Sequence, residues 1–225
     1  MKIAVPREVR PGERRVALVP ESCKKLIGKG VEVAVESGAG ESAFLSDDAY
    51  RQVGAEIGGD IGALLSTADL VLKVQPPTEA EVALIREGAM LLSTLLPSRH
   101  LEVVRRLAER KITTFSTDSI PRITRAQSMD TLSSMASIAG YKAVLMAASE
   151  LPKYFPMFMT AAGTVFPAKV FVIGAAVAGL QAIATATRLG AVRQQHLPHC
   201  LVHAAGTQPR PAPALAASDP PPGIP

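Results

Sequence analysis

Short apolar runs alternate with stretches of helical spacing through the first half of this chain. Residues 2–6, KIAVP, form a short strand-like run. Between Pro20 and Gly30, Leu26 and Ile27 sit at helical spacing and Gly30 supplies a stop. Residues 31–35 alternate β-branched and other residues, the mark of a second strand. Residues 47–53 read as a helix. Residues 69–74, DLVLKV, read as a buried strand bounded by Pro76 and Pro77. A helix follows over 78–85, with Glu79 and Glu81 in the first turn, where acidic groups suit the helix dipole. Strand 89–95, amphipathic helix 100–110 and strand 111–115 complete the series. Such alternation implies an α/β fold, a flavodoxin- or Rossmann-like parallel-sheet domain over residues 1–121.

The pattern then changes. Residues 124–149 form a long helical stretch whose small residues, Ser133, Ser134, Ala136, Ser137, Ala139 and Gly140, suit close packing against a neighbouring element. Pro152, Pro156 and Pro167 punctuate a loop. A strand over 169–173 leads into Gly174-Ala-Ala-Val-Ala-Gly179 and a helix over 177–189, stopped by Gly190. Strand, glycine-bearing turn and helix are how a dinucleotide-binding unit begins. Gly174 permits a tight turn, and Gly179 permits close packing of helix on strand. Ala176 stands where a glycine usually lets backbone approach a pyrophosphate, so its methyl weakens binding without excluding it. The helix N-terminus still offers N–H groups to phosphate. Residues 122–192 are thus a connecting helix and the start of a Rossmann domain.

Residues 193–225 are different material. They hold eight of the 18 prolines and no periodic apolar pattern after Val202. This composition predicts an extended, disordered Pro-rich tail. The carboxylate that would hold a ribose about 20 residues beyond the glycine turn is missing, since none stands between Glu150 and Asp219. We therefore expect the Rossmann domain to be incomplete, and the tail to be native or the product of a shifted reading frame.

Composition narrows the class. The chain has 225 residues, 48% of them hydrophobic and 20% charged, in the range of a globular protein. The net charge of +4 is spread along the chain, so no nucleic-acid partner is expected. No apolar run is long enough to span a bilayer, and no secretory leader is evident. Cys23 and Cys200 make no disulfide framework and fit a reducing compartment. Cys23 reads as a small packing residue. His196, His199, Cys200 and His203 give H-x2-H-C-x2-H, ligand types that suit zinc. Pro198 interrupts the run and no ligand set pairs with it, so we assign no metal.

Long contiguous runs carry a resemblance. PREVRPGERRVALVP, LVLKVQPP, RITRAQSMDTLSSMASIAGYKAV and MTAAGTVFPAKVFVIGAAVAGLQAIATATRLGAV together resemble the NAD(H)-binding component of proton-translocating NAD(P) transhydrogenases, and less closely alanine dehydrogenases. The likeness covers residues 1–192. It implies that Arg122, Gln127 and Asp130 hold the nicotinamide end of NAD(H), with Ser128, Met129, Ser133 and Val177 at neighbouring contact positions and Gly174, Ala176 and Gly179 in the nucleotide turn. Gln and Ser can hydrogen-bond a carboxamide, and an Arg–Asp pair can fix a loop. Read without the resemblance, Arg122 and Asp130 make a surface ion pair, and Gln127 and Ser128 cap the long helix. It also implies a homodimer on the cytoplasmic face of the inner membrane, passing hydride to NADP on partner subunits that carry the membrane and NADP-binding parts.

Hydride transfer between two nicotinamides needs positioning rather than a general acid or base, so no catalytic residue is assigned. Alanine dehydrogenases use a His after the strand that here reads LLSTLLPS. The matching residue is Leu96, which transfers no proton. His100 reads as a surface residue at a helix start. Arg15 and Lys73 match keto-acid-holding positions that both groups retain. An alanine dehydrogenase-like enzyme and a non-catalytic remnant are the alternatives.

Overall fold

The structure, a computed structural model, describes residues 1–193. They fall into two compact units, one covering Met1–Leu132 and one beginning at Ser133.

In the first unit the strands are β1 (Lys2–Val5), β2 (Glu32–Glu36), β3 (Glu56–Gly58), β4 (Leu70–Leu72), β5 (Met90–Ser93) and β6 (Thr113–Ser116). The helices are α1 (Pro20–Ile27), α2 (Asp47–Gln52), α3 (Ile61–Thr67), α4 (Glu79–Leu84) and α5 (Leu101–Glu109). All six strands run parallel in the order β3-β2-β1-β4-β5-β6. This is the doubly wound Rossmann order. Alternation along each strand feeds two cores. Ile3, Val5, Val33, Val35 and Leu72 point to one face, where Cys23 of α1 and Tyr50 of α2 cover them. Ala4, Ala34, Val71 and Leu91 point to the other, under Leu64 and Leu65 of α3, Val82 of α4 and Leu107 of α5. The period of two makes each central strand a spacer between two helical layers. Cys23 is fully buried, and burial pushes its thiol up to about 11, as suits a packing residue.

In the second unit α6 (Thr131–Glu150) is followed by a hairpin of β7 (Phe158–Thr160) and β8 (Gly163–Val165). Then come β9 (Lys169–Val170), α7 (Val177–Arg188) and β10 (Val192–Arg193). β9 and β10 pair in parallel, Val192 opposite Lys169. The core gathers Val144, Phe155, Ala168, Val170, Val172, Ala182, Ala186 and Ala191.

Several elements differ from the sequence reading. The strand β3 and the helix α3 lie where the sequence suggested no element. The helix expected from residue 124 starts only at Thr131, because residues Thr124–Met129 wind as a 3-10 helix. The strand expected over 169–173 pairs at Lys169–Val170, opposite Val192–Arg193. The β7–β8 hairpin occupies the proline-punctuated loop, with every strand residue exposed. Of the tail expected over residues 193–225, Arg193 instead pairs in β10 opposite Val170; the rest, with its H-x2-H-C-x2-H run, and the position of the missing ribose carboxylate lie outside the described residues.

Candidate nucleotide-binding site

The residues singled out by sequence fall into two groups, one per unit, apart from Ser133. In the first unit, the 3-10 helix Thr124–Met129 hangs on one buried side chain, Ala126, 4% exposed. The Ala126 N–H donates to the Ile123 carbonyl at 2.9 Å, and the Asp130 N–H to the Gln127 carbonyl at 3.3 Å. Around that anchor Arg122, Gln127, Ser128 and Met129 are exposed and Asp130 is half-buried. Polar groups that face outward from a turn pinned by one methyl can meet a ligand with little rearrangement. Gln127 and Ser128 lie a full turn ahead of α6, so they are not its N-cap. Ser133 stands on α6, half-buried.

In the second unit the chain leaves β9 through Val172 and Ile173 and turns at Gly174, whose φ of +94° a side chain rarely adopts. Ala176 is extended and occupies the N-cap of α7 without a side-chain cap. Val177 opens the helix. The Leu180 N–H is the first to find an intrahelical partner, the Ala176 carbonyl at 2.9 Å. A Cβ on Gly179 would collide with the Gly174 carbonyl oxygen. The first and last glycines of GxAxxG therefore have separate steric reasons, one a left-handed φ and one a close backbone approach. Gly174, Ala175, Ala176 and Val177 are exposed, so the uncapped first turn of α7 is open to an anionic group.

A further cluster gathers at the C-terminal ends of β1 and β4, where the strand order reverses and doubly wound sheets usually bind ligands. Lys73 donates to Glu81 Oε1 at 2.7 Å and lies 3.6 Å from Glu8 Oε2, with all three side chains at most 6% exposed. The Val74 N–H donates to Glu8 Oε1 at 2.6 Å. Burial pushes the Glu8 carboxyl up against the opposing pull of Lys73 and these amides. Arg15 places Nε and Nη2 on the two oxygens of Glu13 at 2.7 and 2.6 Å. The Gln75 amide donates to Glu13 at 2.6 Å and accepts from Arg10 at 2.9 Å. The bidentate Arg15 fork, opposed by burial and helped by Gln75, holds the Glu13 carboxyl at about 2. Both cations that sequence matched to a keto-acid site are thus paired within the chain. Sequence reading missed Glu8 and Glu13 as their partners, and Gln75 as the donor to Glu13. For Glu81 a signal was present, since Thr78-Glu-Ala-Glu81 is a capping box in which Glu81 Oε2 accepts the Thr78 N–H at 2.7 Å.

Leu96 sits after β5 in a left-handed conformation, φ +48°. Its N–H and that of Leu95 both donate to Asp118 Oδ1, at 3.2 and 3.0 Å. No proton-transferring side chain stands at this position.

The family model described as "Alanine dehydrogenase/PNT, N-terminal domain" matches residues 4–139, and its C-terminal counterpart matches residues 143–195. The chain belongs to the alanine dehydrogenase/PNT family. Within this family, an NAD(P) transhydrogenase alpha subunit of Rhodospirillum rubrum is 56% identical over 197 residues, covering 85% of this chain and 51% of that protein. An alanine dehydrogenase of Halomonas elongata is 34% identical over 194 residues, covering 85% and 52%. The solved structure of transhydrogenase from Sinorhizobium meliloti matches with a TM-score of 0.83 at 48% identity, over 86% of this chain and 57% of that one. The chain spans about half the length of the curated relatives it matches. Its α/β fold is that of the family, as the sequence predicted. Among the described residues no helix is long and apolar enough to cross a membrane.

Proposed function

We propose that this chain is the NAD(H)-binding part of an NAD(P) transhydrogenase, working in hydride transfer between NADH and NADP. The observation that carries this reading is the likeness itself, 56% identity to a transhydrogenase alpha subunit against 34% to an alanine dehydrogenase. Leu96, in place of a proton-transferring side chain, points the same way.

In this reading residues 1–121 form the first domain and residues 122–192 supply the groups that contact the nucleotide. The Gly174–Gly179 turn and the first turn of α7 receive the pyrophosphate. Gln127 and Ser128 hydrogen-bond the carboxamide, Arg122 and Asp130 hold the loop, and Met129, Ser133 and Val177 line the dinucleotide. The chain's contribution is to orient the reduced ring and exclude competing contacts, since hydride passes without a general acid or base. Partner subunits would bind NADP and couple the transfer to proton movement across the membrane. The chain would act as a homodimer at the cytoplasmic face.

NADH fluorescence titration of the full chain tests the reading, with Gln127→Ala beside it. Saturable binding that weakens about tenfold in the variant, about 1.4 kcal/mol, is the expected result. Absence of binding at millimolar NADH would overturn it. NADH oxidation that requires both pyruvate and ammonium should be absent. Its presence would favour an alanine dehydrogenase-like activity instead.

A further inference from the structure

Gly140 lies in the middle of α6, ten residues into a helix where glycine costs about 1 kcal/mol relative to alanine. It is buried, and its backbone is not in the left-handed region, so no turn demands it. The demand comes from across the packing. A Cβ built on Gly140 would collide with the carbonyl oxygen of Ala178, with the Ala178 carbonyl carbon and Cα at 2.9 and 3.1 Å. These are backbone atoms in the first turn of α7 and cannot swing aside as a flexible side chain could. The same turn is held from the other side by Gly179, whose hydrogen faces the Gly174 carbonyl oxygen. Ala178 and Gly179 are therefore both fixed by contacts that admit no side chain. Ser133, seven residues ahead of Gly140, lies two turns up the same face of α6.

We propose that Gly140 is a positioning residue for nucleotide binding: by letting the Ala178 backbone seat directly on α6, it sets where the GxAxxG turn and the first N–H groups of α7 stand relative to Ser133. This rests on the NAD(H)-binding reading above. A helix shifted by one methyl moves every donor aimed at the ligand, which is how a change outside the contact set weakens binding. Gly140 acts in this way without touching the dinucleotide.

The test compares Gly140→Ala with Ala143→Ser, an exposed position on the same helix. The expected result is NADH affinity at least about tenfold weaker for Gly140→Ala, a loss of about 1.4 kcal/mol, and unchanged for Ala143→Ser. Hydrogen exchange without ligand is read alongside. The Leu180 and Gln181 amides should exchange faster in Gly140→Ala while β1, β2 and β4 keep their protection. If Gly140→Ala instead stabilises the chain, as helix propensity alone predicts, and leaves affinity and exchange unchanged, the proposal is wrong. If the wild type binds no NADH, the functional reading fails while the exchange data still decide the positioning. If Gly140→Ala does not fold, exchange of the wild type in mild denaturant decides. The Leu180 amide should open together with the α6 amides around Gly140 as one unit, and earlier opening of Leu180 would overturn the proposal.

Discussion

The two units build their cores differently. In the first, central strands point alternate residues into two helical layers, and Ile3, Ala4, Val5, Leu65, Val71 and Leu91 are all essentially inaccessible. In the second, among the described residues, Met159, Phe166, Ile173 and Leu180 are each more than half exposed. Its core is built largely of alanine and valine, with close backbone approaches at Gly140 and Gly179 beside it. A domain covered on both faces can hold buried charge at its switch point.

The sharpest way to break this comparison is Lys73→Met. It leaves Glu81 and Glu8 buried beside no cation, and should cost about 3–5 kcal/mol by urea denaturation. A loss under about 1 kcal/mol would mean that Lys73 is not structural and is free for a ligand. Next in size, Leu65→Ala, at a fully buried position of α3, should cost about 2–5 kcal/mol. Ile173→Ala, 57% exposed, should stay within about 0.5 kcal/mol. Equal losses from the two would erase the contrast between the units.

The last test is a pH dependence. Glu13 falls from its usual 4.5 to about 2 on folding, chiefly through the Arg15 bonds. A depressed carboxyl stabilises the fold above its unfolded value, and that contribution disappears as pH falls from 4.5 towards 2. Glu13→Gln should therefore flatten the acid side of the stability curve within that window. Acid titrations of wild type and variant with parallel slopes there would show that the Arg15 pair contributes nothing.

Legibility followed local signal strength. β1, β2 and β4 were readable because each carries its own short apolar or alternating run within a few residues. β3 was not: Glu56, Ile57 and Gly58 hold one large apolar side chain, and the strand is an edge that pairs only with β2. α3 was legible in principle, for Ile61, Leu64, Leu65 and Ala68 keep helical spacing, but the segment is a single short run between two glycines and a strand. The break between the 3-10 helix and α6 escaped notice because Ile123, Ala126 and Met129 repeat every three residues, close to the period of an α-helix. Of the candidate site, the reason for Gly174 was readable from the turn it opens. Glu8 was not, since its partner Val74 lies more than 60 residues away, whereas the Glu13–Arg15 pair is local, two residues apart.

Sequence by itself determined the alternating elements, the glycine at the positive φ of residue 174, the stop at Gly190 and the family likeness. Each of these is written within one turn, one strand or one contiguous run. Tertiary structure alone decided that β1 lies beside β4, which brings Lys73 to Glu8 and Gln75 to Glu13 and makes them partners. It alone decided that Gly140 meets the Ala178 carbonyl. Such contacts join residues distant in the chain, and their energies depend on distance and burial, which no local pattern records.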